Sequence, residues 1–125
     1  QMRPTLNIKD MVRFYELMLE VEREKIHKEA FNISYKNLTI REIAEMVKKV
    51  INDQSIELEI LPTDDKRSYH VNAVKMEKVL GFECKFNIEE AIKSLIKAYN
   101  NGLIVDGINN SLYYNIKRMK EIALK

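Results

Sequence analysis

Apolar positions along the chain recur at two spacings, and each change of spacing marks an element. From Asp10 onward, Met11, Phe14 or Tyr15, Met18 and Val21 recur at intervals of three and four, while Arg13, Glu16, Glu20 and Arg23 fall off that stripe. This predicts an amphipathic surface helix. Ahead of it, Pro4 fixes its own φ and biases Arg3 away from helical backbone, so residues 3–8 are expected to enter extended. Residues 22–29 are charge-rich and read as a solvated connector, and residues 30–34 read as a short buried strand. The best-specified helix opens at Thr39, where Thr39-x-x-Glu42 is a capping box and Leu38 and Ile43 occupy the positions of a hydrophobic staple. Its stripe is Ile40, Ile43, Ala44, Val47, Val50 and Ile51, with Arg41, Glu45, Lys48 and Lys49 outside it, and it is expected to serve as core scaffold. Ile56, Leu58 and Ile60 then alternate with Glu57 and Glu59 until Pro62, the period of a strand buried on one face.

Residues 64–82 combine a charged and aromatic cluster with a short, sharply bounded helix. Asn72 is a good N-cap, Ala73, Met76, Val79 and Leu80 share a face, and Gly81 suits a left-handed exit. Arg67, Ser68, Tyr69 and His70 are expected on an extended approach to that helix, presenting a guanidinium and hydroxyls at a fixed place. The planar fork of Arg suits phosphate through paired charge-assisted hydrogen bonds. The plainer alternatives are a solvated Arg and a half-buried, packing Tyr. Asn87 with Glu89 and Glu90 restarts a helix whose inward positions are expected to be Ile88, Ile92, Leu95 and Tyr99, and Asn101-Gly102 stops it. Asp106-Gly107 marks a turn, and Ile108, Leu112, Ile116, Met119 and Ala123 describe a final helix expected to cover the domain or a neighbouring subunit. The sum is an α+β chain, mostly helical, with about five helices and two or three short strands.

The chain's 125 residues are one domain's worth, and 46% hydrophobic with 32% charged residues fits a folded globular protein rather than a disordered one. The 21 basic and 19 acidic side chains are interleaved on the same helices, so nucleic acid is not an expected partner. With Cys84 as the single cysteine, no intrachain disulfide is possible, and no apolar run approaches the ~20 residues that span a bilayer. A cytoplasmic protein without membrane contact is therefore expected. His27 and His70 lie far apart, no Cys or His pair has metal-ligand spacing, and no metal is expected. The opening Gln1-Met2-Arg3-Pro4 reads as the start of a piece of a longer protein.

Four segments carry a resemblance. Arg67-Ser68-Tyr69-His70-Val71-Asn72, followed by Lys75 and Leu80-Gly81-Phe82, is similar to the D-x-R-S-Y-x-V-D/S-x-x-K-I segment, ending L-G-F or L-G-W, of extended short-chain dehydrogenases that act as nucleotide-sugar epimerases and dehydratases. Gln1-x-Arg3-Pro4, with Ile8 and Asp10-Met11-Val12, resembles that family's G-x-Q-x-R-P-x-x-H-I-x-D-x-V segment, and Asn37-x-Thr39-x-x-Glu42-Ile43-Ala44 its N-x-T-V-x-E-I-A. Phe31-Asn32-Ile33-Ser34 resembles the F-N-x-G strand, with Ser34-Tyr35 where glycine is common.

The resemblance covers residues 1–103 and implies the substrate-binding C-terminal lobe of an NAD-dependent nucleotide-sugar epimerase or dehydratase of carbohydrate biosynthesis, followed by a helical tail over residues 104–125. It implies Arg3, Arg67, Tyr69 and His70 as substrate-binding residues, with the two arginines holding the diphosphate. The parent's cofactor would be NAD, held in an N-terminal Rossmann domain missing here. With only Gly81, Gly102 and Gly107, this chain lacks a glycine-rich phosphate loop and is expected to bind no NAD and to be inactive alone. Tyr113-x-x-x-Lys117 has the spacing of the family's catalytic pair but follows the substrate portion instead of preceding it, so no catalytic residue is assigned. Partners expected are the nucleotide-sugar, the missing domain and a second copy in a homodimer. The alternative is a non-enzymatic helical protein-interaction module.

Overall fold

The segment around Pro4 is extended, and it pairs. The computed structural model describes residues 1–64 and 66–123. In it β1 (Met2–Thr5) runs antiparallel to β2 (Lys36–Thr39), with Arg3 opposite Leu38 and Pro4 opposite Asn37. A two-stranded ribbon consists of edges alone, the setting in which a strand tolerates proline. Among the described residues the remaining elements are helices, and the chain is α+β and mostly helical.

Two expected strands do not form. Residues 30–34 have no regular structure, and the ladder uses the next residues instead. Their apolar side chains do mark core contact, since Phe31 and Ile33 pack against the main cluster. Ser34 is buried, and its hydroxyl donates to the Thr5 carbonyl at 3.4 Å. Residues 56–60 also lack regular structure, and Leu58 and Ile60 are exposed. Alternation decides which side chains share a face, but a strand also needs an edge to pair with. On β1, the Met2 carbonyl is already taken by the Tyr69 N–H at 3.0 Å.

Contacts divide the chain into two units, Gln1–Lys93 and Ser94–Lys125. In the first, α1 (Ile8–Glu20) is capped by the Asn7 side chain, which accepts from the Lys9 N–H at 3.0 Å. A single turn, α2 (Arg23–Ile26), interrupts the charged connector. Helix α3 (Ile40–Ile51) opens on the expected capping box: the Glu42 N–H donates to Thr39 Oγ1 at 3.1 Å, and the Thr39 N–H donates back to Glu42 Oε2 at 2.6 Å. These donors, the Thr39 backbone N–H first, hold the Glu42 carboxyl below its ordinary range. Helix α4 (Val74–Leu80) ends as expected, but its N-cap position is Ala73, without a side-chain cap, and not the expected Asn72. Asn72 Oδ1 accepts from the Val74 N–H at 2.9 Å, and Gly81 leaves at φ 62° with its N–H on the Glu77 carbonyl. Helix α5 (Ile88–Asn100) has a reciprocal cap between Asn87 and Glu90.

The core is small. Phe14, Met76 and Phe82 are its buried centre, the two rings meeting edge-to-face with centroids 5.3 Å apart. Thus Phe14, not Tyr15, is the inward aromatic of α1. No residue of α3 is fully buried; Ile43, Ala44, Val47 and Val50 are half-buried, and Ile40 and Ile51 are exposed. The expected scaffold helix therefore has an apolar face that its own unit only half covers.

In the second unit α5 ends as expected, with Gly102 at φ 68° and the Leu103 N–H on the Ala98 carbonyl. Leu95 and Tyr99, expected to face inward, are exposed, and Ile96 and Ala98 are half-buried instead. The turn at Asp106-Gly107 forms, with Asp106 at φ 49°. The final helix is not continuous. A 3-10 turn (Ser111–Tyr113) precedes α6 (Asn115–Glu121), separated by Tyr114 in extended backbone. Asn110 Oδ1 accepts from the Leu112 N–H and Asn115 Oδ1 from the Ile116 N–H, local bonds that compete with a through-going helix. Ile108, Leu112, Ile116 and Met119 are exposed.

Candidate functional site

Residues 67–71 have no ladder of their own, yet both ends of the segment are tied to the ribbon. Ser68 Oγ accepts from the Met2 N–H at 2.9 Å, and the Tyr69 N–H donates to the Met2 carbonyl at 3.0 Å. Arg3 Nη1 donates to the Arg67 carbonyl at 2.7 Å and to the Met2 carbonyl at 2.9 Å. The Arg3 guanidinium also lies over the Tyr69 ring, 5.5 Å from its centroid. Three of the four residues singled out in the sequence, Arg3, Arg67 and Tyr69, thus meet although Arg3 and Arg67 are 64 positions apart. Arg3 is half-buried, while Arg67, Tyr69 and His70 are exposed. His70 is carried between the bonded Tyr69 and Val71. Asp65, within the same stretch, lies outside the described residues.

The chemistry of this cluster is that of an exposed arginine on a segment tied to β1 by three hydrogen bonds. Beside it, a groove of about 710 Å³ is lined by Gln1, Ile40, Leu58, Ile60, Leu61 and Thr63 among others, and Gln1 is itself a hydrogen-bond partner of Arg3. The groove's lining is mixed, since Arg41 and the carboxylates of Glu45 and Glu59 share it with the apolar side chains.

Three residues carry more of this geometry than sequence reasoning gave them. Asn37 clasps the backbone of Val71: its Nδ2 donates to the Val71 carbonyl and its Oδ1 accepts from the Val71 N–H, both at 2.9 Å. Asp10, read from the sequence as the start of the α1 stripe and a matched position of the resemblance, is fully buried. It accepts from the N–H groups of Lys85 at 3.0 Å and Phe86 at 2.9 Å and pairs with Arg13 at 2.5 Å. Burial pushes its carboxyl up, but those donors outweigh burial, and the net direction is below the ordinary carboxylate value. Lys75 pairs with Glu29 at 2.5 Å, donates to the Ala30 carbonyl and covers the Phe31 ring, so it pins the connector to α4. Nothing in the sequence marks these long-range partners, because side-chain type shows what a group needs but not what will supply it.

Other candidates separate. Tyr113 and Lys117 do not share a helix: Tyr113 Oη accepts from the Val105 N–H, while Lys117 Nζ donates to the Asn109 carbonyl. Gly81 and Gly102 end helices and Gly107 lies in a turn, so none opens a helix toward a phosphate, and the chain's own residues do not fit a dinucleotide cradle. Cys84 is half-buried, and burial, with the Asp10 carboxylate adding to it, pushes its thiol up, away from nucleophilic character. Among the described residues no group of three or more His, Cys, Asp and Glu is placed to hold a metal, and no helix is long and apolar enough to cross a membrane.

Compared with known proteins, the chain is 30% identical over 136 aligned positions to the "Uncharacterized protein MJ1626" of Methanocaldococcus jannaschii, an alignment covering 96% of this chain. The chain spans only 18% of that relative's length. No protein-family model matches, and no solved structure matches.

Proposed function

We propose that this chain is the nucleotide-sugar-binding C-terminal portion of a cytoplasmic NAD-dependent epimerase or dehydratase, in which Arg67 grips the diphosphate. The observation that supports the reading most is the tie between Arg3 and the Arg67 carbonyl, which joins two segments whose sequences independently resemble the same enzyme family. In this reading the Arg67 fork meets phosphate oxygens while Arg3 fixes the backbone behind it and the Tyr69 ring beside it. Tyr69 and His70, both exposed, line the approach. NAD would supply hydride transfer in the parent enzyme, in a domain outside this chain.

The test is affinity in the protein that contains this chain. Losing one charge-assisted phosphate contact costs about 1.5 to 3 kcal/mol. Arg67→Ala is therefore expected to weaken nucleotide-sugar binding tenfold or more, with little change in thermal stability because the side chain is exposed. Unchanged affinity would refute the assignment.

A second reading, a helical interaction module, has its own supporting observation. Ile8, Val12, Tyr15 and Leu19 are 72%, 50%, 62% and 88% exposed and follow one another along α1 at four, three and four residues. Such a stripe is the spacing of a helix seam. Under the enzyme reading the missing domain covers it. Under either reading the isolated chain is expected to self-associate, most simply as a dimer, and Leu19→Glu to weaken that association. Sedimentation equilibrium that shows a monomer at every accessible concentration would defeat this expectation.

A further inference from the structure

We propose that Asn37 is a positioning residue for the phosphate-gripping segment, acting on ligand only through the backbone that carries Arg67. This rests on the reading of Arg67 as a diphosphate contact.

The tethers of residues 67–71 come from two places. Met2 and Arg3 on β1 hold residues 67–69 through the Arg67 carbonyl, the Ser68 hydroxyl and the Tyr69 N–H. At the far end Asn37 on β2 holds Val71 through both of its backbone groups. A primary amide is the one short neutral side chain that offers a donor and an acceptor side by side, so it can stand in for a strand neighbour. Asp at this place would set a second acceptor against the Val71 carbonyl, Ser would reach one group only, and Gln would be longer by a methylene. Asn37 sits opposite Pro4 in the ribbon, so its side chain links β2 to the same segment that β1 holds two residues earlier. Val71 in turn leads into Asn72, whose Oδ1 receives the Val74 N–H at the start of α4. Without the clasp, residues 69–72 lose their tie to β2, and the segment samples arrangements in which Arg67 is displaced. Apparent affinity then falls in proportion to the fraction of molecules that keep the competent arrangement.

Pyrophosphate is the suitable probe, because it presents the diphosphate without a choice of base or sugar. Binding to the full chain would be measured by calorimetry for wild type, Asn37→Ala, Arg67→Ala and the double variant, with thermal melts to confirm folding. If Asn37→Ala does not fold, Asn37→Ser takes its place, keeping a short polar group that cannot span both partners. Asn37→Ala is expected to weaken pyrophosphate binding about fivefold in the Arg67 background by lowering the competent fraction. In the Arg67→Ala background it is expected to change affinity by less than about 1.5-fold, since coupled residues are not additive. Full additivity, or an Asn37→Ala affinity equal to wild type while Arg67→Ala is impaired, would overturn the role of Asn37 and leave the Arg67 reading in place. An Arg67→Ala affinity equal to wild type would overturn the Arg67 reading and this inference with it.

Discussion

Asp10→Ala is expected to lower the free energy of unfolding by about 3 kcal/mol, the scale set by stranding buried donors that had an ionised acceptor. The carboxylate is inaccessible to solvent and joins the first turn of α1 to residues 85 and 86, some 75 positions away in sequence. Its removal leaves the Lys85 and Phe86 N–H groups without their acceptor and takes the carboxylate from Arg13, which keeps its bond to the Glu83 carbonyl and whose guanidinium lies 5.0 Å from the Phe82 ring centroid. The same edge of the core is thereby loosened twice. The pH dependence follows from the lowered carboxyl. A group whose folded pKa lies below its unfolded value, about 3.9 for Asp, stabilises above that value, and the contribution disappears as pH falls through the folded pKa. Urea unfolding at pH 7 and again in steps below about 3.9 should therefore show the gap between wild type and Asp10→Ala closing toward the acid end. A gap under about 1 kcal/mol at pH 7, or one that widens in acid, would show that the carboxylate is not a net stabiliser.

Met76→Ala is expected to cost about 3 kcal/mol, within the range for truncating a buried methionine in a packed core. Met76 is 1% exposed and sits with Phe14 and Phe82 at the centre of the main cluster. Helix α4 has seven residues and buries no other side chain fully, Leu80 being only partly buried against the same cluster, so Met76 is its main apolar anchor. Truncation leaves a void bounded by two aromatic rings whose edge-to-face contact resists collapse. Because residues 67–71 run directly into α4, loosening it should also increase amide exchange from Val71 to Leu80. Met76→Leu, nearly equal in volume, is expected to restore most of the loss. Chemical denaturation of the two variants separates the outcomes, and an alanine variant as stable as the leucine variant would contradict the packing argument.

What was legible in the sequence were features closed within a few residues. Thr39 and Glu42 satisfy each other's backbone groups, so their spacing alone located the start of α3. Gly81 ended α4 for the same reason, and Asn101-Gly102 ended α5, whereas the N-cap of α4 fell at Ala73, one residue past Asn72. Features that depend on a distant partner were not legible. The alternation at residues 56–60 says which side chains would share a face, but the pairing edge of β1 goes in part to Tyr69. Helical periodicity places Leu95 and Tyr99 on one face of α5 but does not say that this face stays uncovered. The candidate site divides along the same line. Arg3, Arg67 and Tyr69 were singled out by residue type and resemblance, whereas the Asn37 clasp and the burial of Asp10 exist only once segments more than 30 residues apart have come together.

The most direct measurement of the central claim is an amide-shift titration of the isotopically labelled chain with a nucleoside diphosphate sugar, for example UDP-glucose, followed to saturation. Saturable shifts confined to residues 2–3 and 67–71, and abolished by Arg67→Ala, are the result expected. Shifts absent at millimolar ligand, or spread over lysine- and arginine-bearing surfaces with no focus on that segment, would contradict it.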